Sequence, residues 1–165
     1  MAKDLSVAEG IKKCFAERRV KKTYQAIVCG FPKTAHGVWK DSLVTQKKGS
    51  HVRSILRDGS RKSAICHYQV INKIKKYRIF TQLLLRPETG KTHQLRVQCA
   101  SHGCPIIGDR TYGDYAVNLW AKKTLKANRL FLHAKKVEFE LNYNQKVYYF
   151  TVESPLPESF KLLKS

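Results

Sequence analysis

The stretch from Leu83 to Gly113, LLLRPETGKTHQLRVQCASHGCPIIGDRTYG, constrains this chain more than any other. Leu83-Leu84-Leu85 is an apolar run short enough for a buried strand. Pro87-Glu88-Thr89-Gly90 interrupts it as a turn does. Thr92 to His102 is predicted as a helix, with Gly103 as its left-handed stop and Pro105 just beyond. The glycines and proline between Pro105 and Gly113 make that segment a loop. Polar side chains therefore gather where a buried strand meets a helix N-terminus. Backbone N–H groups and a partial positive charge face outward there. With Lys91, His93 and Arg96 adding donors, the junction suits an anion such as a nucleic-acid phosphate.

Charge supports the same direction. Thirty-two Lys and Arg stand against twelve Asp and Glu, a formal net charge of +20 at pH 7. An excess of that size raises affinity for polyanions, nucleic acid first among them. The 42% hydrophobic fraction and the length of 165 residues fit one domain with its own core. No apolar stretch reaches the ~20 residues needed to span a bilayer, and Lys3, Asp4 and Glu9 interrupt any signal-peptide core. The five cysteines are odd in number and form no Cys-x-x-Cys pair, which argues against zinc and for free thiols in a reducing cytoplasm. No metal or other cofactor is expected.

Along the chain, Ser6-Val7-Ala8-Glu9 fits a capping box. It opens an amphipathic helix of about a dozen residues with Ala8, Ile11 and Phe15 on its apolar stripe. Tyr24 to Cys29 reads as a strand ended by Gly30 and Pro32, and Val38 to Thr45 as a further short strand. Lys47 to Arg61 is predicted as a mobile basic loop. Ala64 to Ile71 and Arg78 to Leu85 form a hairpin with a basic tip. Asn118 to Asn128 is predicted helical, and Leu130 to Leu141 pairs with Val147 to Val152 as a second hairpin. Leu156 to Leu163 is a short terminal segment. The pattern predicts a single α+β domain over residues 1–165: a mixed, mainly antiparallel sheet with flanking helices. The residues alone identify no enzyme. They show no nucleophile elbow, P-loop, metal-ligand cluster or dinucleotide fingerprint, and stop at a basic nucleic-acid-binding domain.

The central stretch also resembles the signature of the RluA-like pseudouridine synthases. The resemblance runs through Thr89-Gly90-Lys91-Thr92-His93-Gln94-Leu95-Arg96-Val97. It continues through Gly103, Pro105-Ile106-Ile107-Gly108-Asp109 and Tyr112-Gly113. Lys22-Thr23-Tyr24-Gln25-Ala26 is similar to the family's Lys-x-Tyr-x-Ala strand. Arg129-Leu130-Phe131-Leu132-His133-Ala134, followed by Ser154-Pro155-Leu156-Pro157, is similar to its closing strands. The resemblance spans about Ala2 to Leu163. It implies a pseudouridine-synthase-like fold and cofactor-free isomerisation of uridine in rRNA or tRNA. Tyr24 matches the tyrosine that stacks on the flipped base. Arg96 matches the arginine that pairs with the catalytic aspartate. The family's His-Arg-Leu-Asp motif, which carries that aspartate, does not occur in this sequence. Met1-Ala2-Lys3-Asp4 looks like the tail of the strand that follows it, so the chain is expected to be N-terminally truncated relative to the family.

From this follow expectations for the site. Arg96, without its carboxylate, should face water, phosphate or another acid. Lys91, Thr92, His93 and Gln94 are candidate RNA contacts, although for His93 a structural hydrogen bond in the turn is an equal alternative. Asp109 is read as part of a structural turn, Gly-Asp-x-x-Tyr-Gly, rather than as a replacement nucleophile, and His133 as a strand anchor. Arg53, Arg57, Arg61 and Lys62, with Lys47-Lys48 and Lys73 to Lys76, are read as a diffuse phosphate footprint. Loss of the N-terminal strands is expected to expose a sheet edge open to aggregation or a protein partner. Three functions remain open: a pseudouridine synthase (an isomerase) inactive without its aspartate, a non-catalytic RNA-binding descendant, and a ribonucleoprotein component.

Overall fold

The computed structural model describes residues 4–49, 51–57, 59, 63–75, 78–126 and 128–161. Helix α1 (Leu5–Ala16) leads into strand β1 (Lys21–Cys29). Four strands follow: β2 (His36–Asp41), β3 (Leu43–Lys48), β4 (His51–Leu56) and β5 (Ala64–Lys75). Next come β6 (Ile79–Pro87), α2 (Gln94–Ser101) and α3 (Tyr115–Thr124). Strands β7 (Leu132–Tyr143) and β8 (Lys146–Glu153) close the chain with a 3-10 turn over Glu158–Phe160. Six strands form one sheet in the order β2-β5-β6-β1-β7-β8, and β3 pairs with β4 in a separate ribbon. Every pairing among the described strands is antiparallel. This is the α+β arrangement expected, with helices on the faces of a mainly antiparallel sheet. No helix among the described residues is long and apolar enough to cross a membrane.

The apolar run at Leu83-Leu84-Leu85 is central to the sheet. β6 lies between β5 and β1, and Leu83 and Leu85 are both fully buried. Each contributes about 1.5–3 kcal/mol by leaving water. Around them pack Ile27, Phe80, Ile106, Ile107 and Phe131 from strands and loops, Leu95 and Cys99 from α2, and Val117 and Ala121 from α3. A smaller cluster lies under α1, where Cys14, with Val7 and Ile11 packed alongside, meets Leu141, Val137 and Phe139 of β7.

Several local expectations are corrected. The cap of α1 is Asp4, not Ser6: the Asp4 carboxylate accepts from the Ser6 N–H at 2.8 Å, two residues earlier than a Ser6 box would start. Helix α3 begins at Tyr115 because Asp114 accepts from the Val117 N–H at 2.9 Å, and it ends at Thr124 rather than Asn128. The strand read over Val38 to Thr45 is divided between β2 and β3, and the first part of the basic segment read as a loop from Lys47 is instead the end of β3 and all of β4, a ribbon whose register runs from Leu43↔Leu56 to Lys48↔His51. Two residues therefore connect the strands, and Gly49 takes φ +59°, as a tight hairpin of this length requires. Val44, Thr45, Val52 and Ile55 supply the β-branched side chains that favour strands. The surplus of cations around them hid that signal. Arg61 and Lys62 lie outside the described residues.

The sheet has two open edges, β2 and β8. All eight residues of β8 are exposed, among them Val147, Tyr149 and Val152.

Candidate active site around Tyr24 and Arg96

The turn between β6 and α2 is held by side chains that look, in sequence, like free polar groups. Thr89 is buried; its hydroxyl accepts from the Ile65 N–H at 2.9 Å and donates to the Gln94 amide oxygen at 2.8 Å. That oxygen also accepts from the Lys91 N–H, and the Gln94 amide nitrogen donates to the Ile65 carbonyl. Gln94 thus ties the turn to β5, and its buried amide spends its hydrogen bonds there. The turn's own amides are partly used: Gln94 donates its N–H to the Lys91 carbonyl at 3.1 Å.

His93 sits at the head of α2 with φ +55°, a left-handed conformation uncommon for a residue with a side chain. Its ring meets Tyr112 edge-on, Nδ1 lying 3.1 Å from the Tyr112 hydroxyl. Burial pushes the imidazole's pKa down, and the Arg96 charge pushes it further, so this ring is held toward its neutral form. Ser54 of β4 completes the wall. Its N–H donates to the Tyr112 hydroxyl at 2.8 Å and its own hydroxyl to the Thr92 carbonyl at 2.6 Å. These two bonds dock the β3–β4 ribbon against the head of α2. Arg53, on that ribbon, and Arg57, just beyond it, are exposed.

Arg96, on α2, is not left facing water. Its Nε and Nη2 donate to the two carboxylate oxygens of Asp109, each at 2.7 Å, a bidentate pair. The Asp109 side chain is completely buried and that of Arg96 is 19% exposed. Arg96 also lies over the Tyr112 ring, 5.1 Å from its centroid. One Asp109 oxygen accepts in addition from the N–H groups of Thr111 and Tyr112, at 2.9 and 3.0 Å. Burial alone pushes the Asp109 carboxyl up. The guanidinium and the two N–H donors outweigh it, so the group is held below the usual carboxylate range. The Arg96 pKa is raised in turn, chiefly by the Asp109 hydrogen bond.

Tyr24 and Arg96 line one cavity of about 160 Å³ together with Leu132, Lys22, Lys91 and His93. Tyr24 sits at an irregularity. The register of β1 against β7 shifts between Thr23 and Tyr24, a bulge that re-aims side chains. The Tyr24 phenol is half-buried and its pKa is raised by that burial. Among the described residues, no acid lines this cavity. The head of α2 thus carries Lys91, His93 and Arg96 to one wall, while Gln94 serves the fold beneath it. His133 lies apart, its Nε2 3.3 Å from the Ser154 carbonyl at the strand end. Ser54, Tyr112 and Leu132 drew no attention as site residues in the sequence. Their only signal is the quoted family blocks, which contain Tyr112 and Leu132; nothing local marks Ser54.

Comparison with known proteins relates the chain to RNA pseudouridine synthases in sequence and in fold. A sequence model of the RNA pseudouridylate synthase family matches residues 1–101. A protein of Zymomonas mobilis described as an uncharacterized RNA pseudouridine synthase is 31% identical over 161 residues, covering 97% of this chain and 68% of that protein. The ribosomal large subunit pseudouridine synthase C of a Buchnera aphidicola strain is 37% identical over 131 residues, covering 78% of this chain and 40% of its own length. Among solved structures, human RNA pseudouridylate synthase domain containing 1 superposes with a TM-score of 0.72 at 25% identity, covering 96% of this chain and 64% of that one. The chain thus spans between two fifths and about two thirds of these relatives.

Proposed function

The chain belongs to the RNA pseudouridylate synthase family, in its RluA-like group, and from that premise we propose that these residues form the base-binding and arginine half of a uridine-isomerising site in RNA. In this reading Tyr24 stacks on the flipped uracil and Arg96 orients a carboxylate against the ribose. That carboxylate bonds to C1′ as the C1′–N1 bond breaks; the uracil turns, C5 displaces the carboxylate from C1′, and the proton lost from C5 is balanced by one gained at N1. Lys22 and Lys91, which line the cavity, would meet the flanking phosphates, and the exposed Arg53 and Arg57 would add to the phosphate footprint. The observation that carries the reading is the single cavity shared by Tyr24, Arg96 and Leu132.

The same cavity lacks an acid among the described residues, and the only carboxylate on Arg96 is the buried Asp109, which already accepts from Thr111 and Tyr112. Covalent opening of a glycosidic bond needs a nucleophile beside the ribose. The 165 residues alone are therefore expected to form no pseudouridine in transcribed rRNA or tRNA, as read by carbodiimide labelling. Fusing a segment with the family's His-Arg-Leu-Asp motif to the N-terminus should restore turnover. The exposed β8 edge, with Val147, Tyr149 and Val152, is a fitting place for added strands. Conversion by the unfused chain would refute the missing-nucleophile reading. A fused chain that binds RNA but never converts it would favour the second reading, a non-catalytic RNA-binding descendant.

Binding itself is expected to be steeply salt-dependent. With many Lys and Arg contacts to phosphate, affinity for structured RNA should fall roughly a thousandfold or more between about 50 and 200 mM salt. A flat response in a fluorescence-anisotropy titration would rule out an electrostatic footprint.

A further inference from the structure

On the other side of Arg96 lies a much larger cleft, about 740 Å³, between α2, the Gly108–Gly113 turn and α3. Arg96 lines both this cleft and the cavity at Tyr24, so the two share that side chain as a wall. Part of the positive charge on this surface is neutralised by acids. Arg19 is paired with Glu17, Arg78 with Asp114 and Lys136 with Glu138. Arg110, Lys122 and Arg129, which line the cleft, form no ion pair among the described residues.

The short-range contacts that do hold them are neutral. Arg110 donates to the Asn128 side-chain oxygen at 3.1 Å. Arg129 donates to the Leu130 carbonyl at 3.3 Å and rests over the Phe160 ring. Neutral partners orient a guanidinium and leave its charge uncompensated. The one acid in the wall, Asp109, is neutralised by Arg96. Three unpaired cations on a concave wall concentrate positive potential in the cleft, where a polyanion gains most from it. On the rim, Tyr115 is 82% exposed at the start of α3, a flat aromatic face with little protein against it. Cations along a groove with an aromatic platform at its edge are the elements of single-stranded nucleic-acid binding.

We propose that this cleft is a binding track for the single-stranded RNA flanking the nucleotide at Tyr24, its phosphates met by Arg110, Lys122 and Arg129 and one base stacked on Tyr115. The proposal rests on the RNA reading above and adds to it a second subsite with its own residues. The strand passes Arg96 on leaving the smaller cavity, which fixes the target uridine relative to its neighbours.

The test compares a labelled stem–loop RNA carrying a single-stranded tail on its 5′ side, on its 3′ side, or no tail. One tailed RNA should bind the chain more tightly than the tailless one. The triple variant Arg110→Ala/Lys122→Ala/Arg129→Ala should bind both alike. Three lost contacts to single-stranded phosphate lower the log–log salt slope by about 2, roughly a hundredfold in affinity at about 0.1 M salt. A control variant with the same change in charge elsewhere, Lys12→Ala/Lys40→Ala/Lys146→Ala, should keep the tail's advantage. Should the triple variant fail to fold, Lys122→Glu, an exposed change on α3, should by itself remove most of that advantage. Ultraviolet cross-linking should join the tail to Tyr115. A tail advantage that survives in the triple variant, or is lost equally in the control, overturns the track while leaving RNA binding intact. A parent chain that binds none of the RNAs overturns the RNA reading as well.

Discussion

Replacing Asp109 by Ala is expected to destabilise the fold by about 3–5 kcal/mol, because it strands the partly buried Arg96 guanidinium without the carboxylate paired with it. The same change removes the acceptor for the Thr111 and Tyr112 N–H groups, so the turn loses its organiser too. Chemical denaturation would show this as a lower midpoint at unchanged slope. Arg96→Ala introduced on top of Asp109→Ala should cost much less than in the parent, since the charge left unpaired is then gone. The pH dependence has a definite sign. The folded Asp109 carboxyl has its pKa lowered, so its stabilisation is complete above the unfolded aspartate value of about 3.9. It is lost as pH falls through the lower folded value. In the Asp109→Ala chain that acid-induced loss should shrink. A destabilisation below about 1 kcal/mol would mean that water replaces the carboxylate at no cost, and that Arg96 is less buried in solution than its 19% exposure implies.

The second large effect is expected at Gly108. It takes φ +77°, and a Cβ placed on it would lie 1.8 Å from the Arg129 carbonyl oxygen. That oxygen belongs to backbone, so no side-chain rotation relieves the clash. The neighbouring chain is fixed as well: Ile107 donates to the Ile27 carbonyl at 3.0 Å, and Phe131 donates to the Ile107 carbonyl at 2.9 Å. Gly108→Ala must therefore part the loop from the start of the β7 segment at the centre of the core. A loss above about 4 kcal/mol follows, placing the substitution among the rare severe ones. For a chain of this size that lowers Tm by roughly 10 °C or more. A variant melting within about 3 °C of the parent would show that the loop can move aside, and that the fit of residues 106–108 beside β1 is looser than these bonds imply. Because Gly108 also lines the larger cleft, a folded variant would report on that cleft's shape through RNA binding.

Both effects arise at one turn, and the reason concerns how the site is built. Arg96 and Asp109 are thirteen positions apart, joined only because α2 ends at Ser101, Gly103 just beyond it takes φ +75°, and the chain doubles back through Gly108. The turn that looked purely structural in Gly-Asp-x-x-Tyr-Gly is also what holds the guanidinium. Of the three surroundings open to Arg96 without a nucleophile, the fold supplies another acid. A carboxylate brought to the cavity at Tyr24 would meet an arginine already oriented from behind.

Features governed by neighbours in the chain were legible in the residues themselves. The Leu83–Leu85 strand, the Pro87–Gly90 turn, the Gly103 stop and both long hairpins follow from short apolar runs, turn chemistry and period-two alternation, which act over a few residues. The basic surplus and the Arg96 and Tyr24 blocks are equally local facts of composition and motif. What only the tertiary structure decided are the pairings across distance: Arg96 with Asp109, Ser54 with Tyr112, Gln94 with Ile65, and which cations stay unpaired. Ser54 and Tyr112 are separated by fifty-eight positions, and nothing beside either names the other. The β3–β4 ribbon was hidden for the same reason. Its charges read as a solvated loop, whereas its strands are anchored by a buried serine whose partners lie on another element. A buried polar group must find a hydrogen-bond partner wherever the packed fold brings one within reach, and that reach is measured through space rather than along the chain.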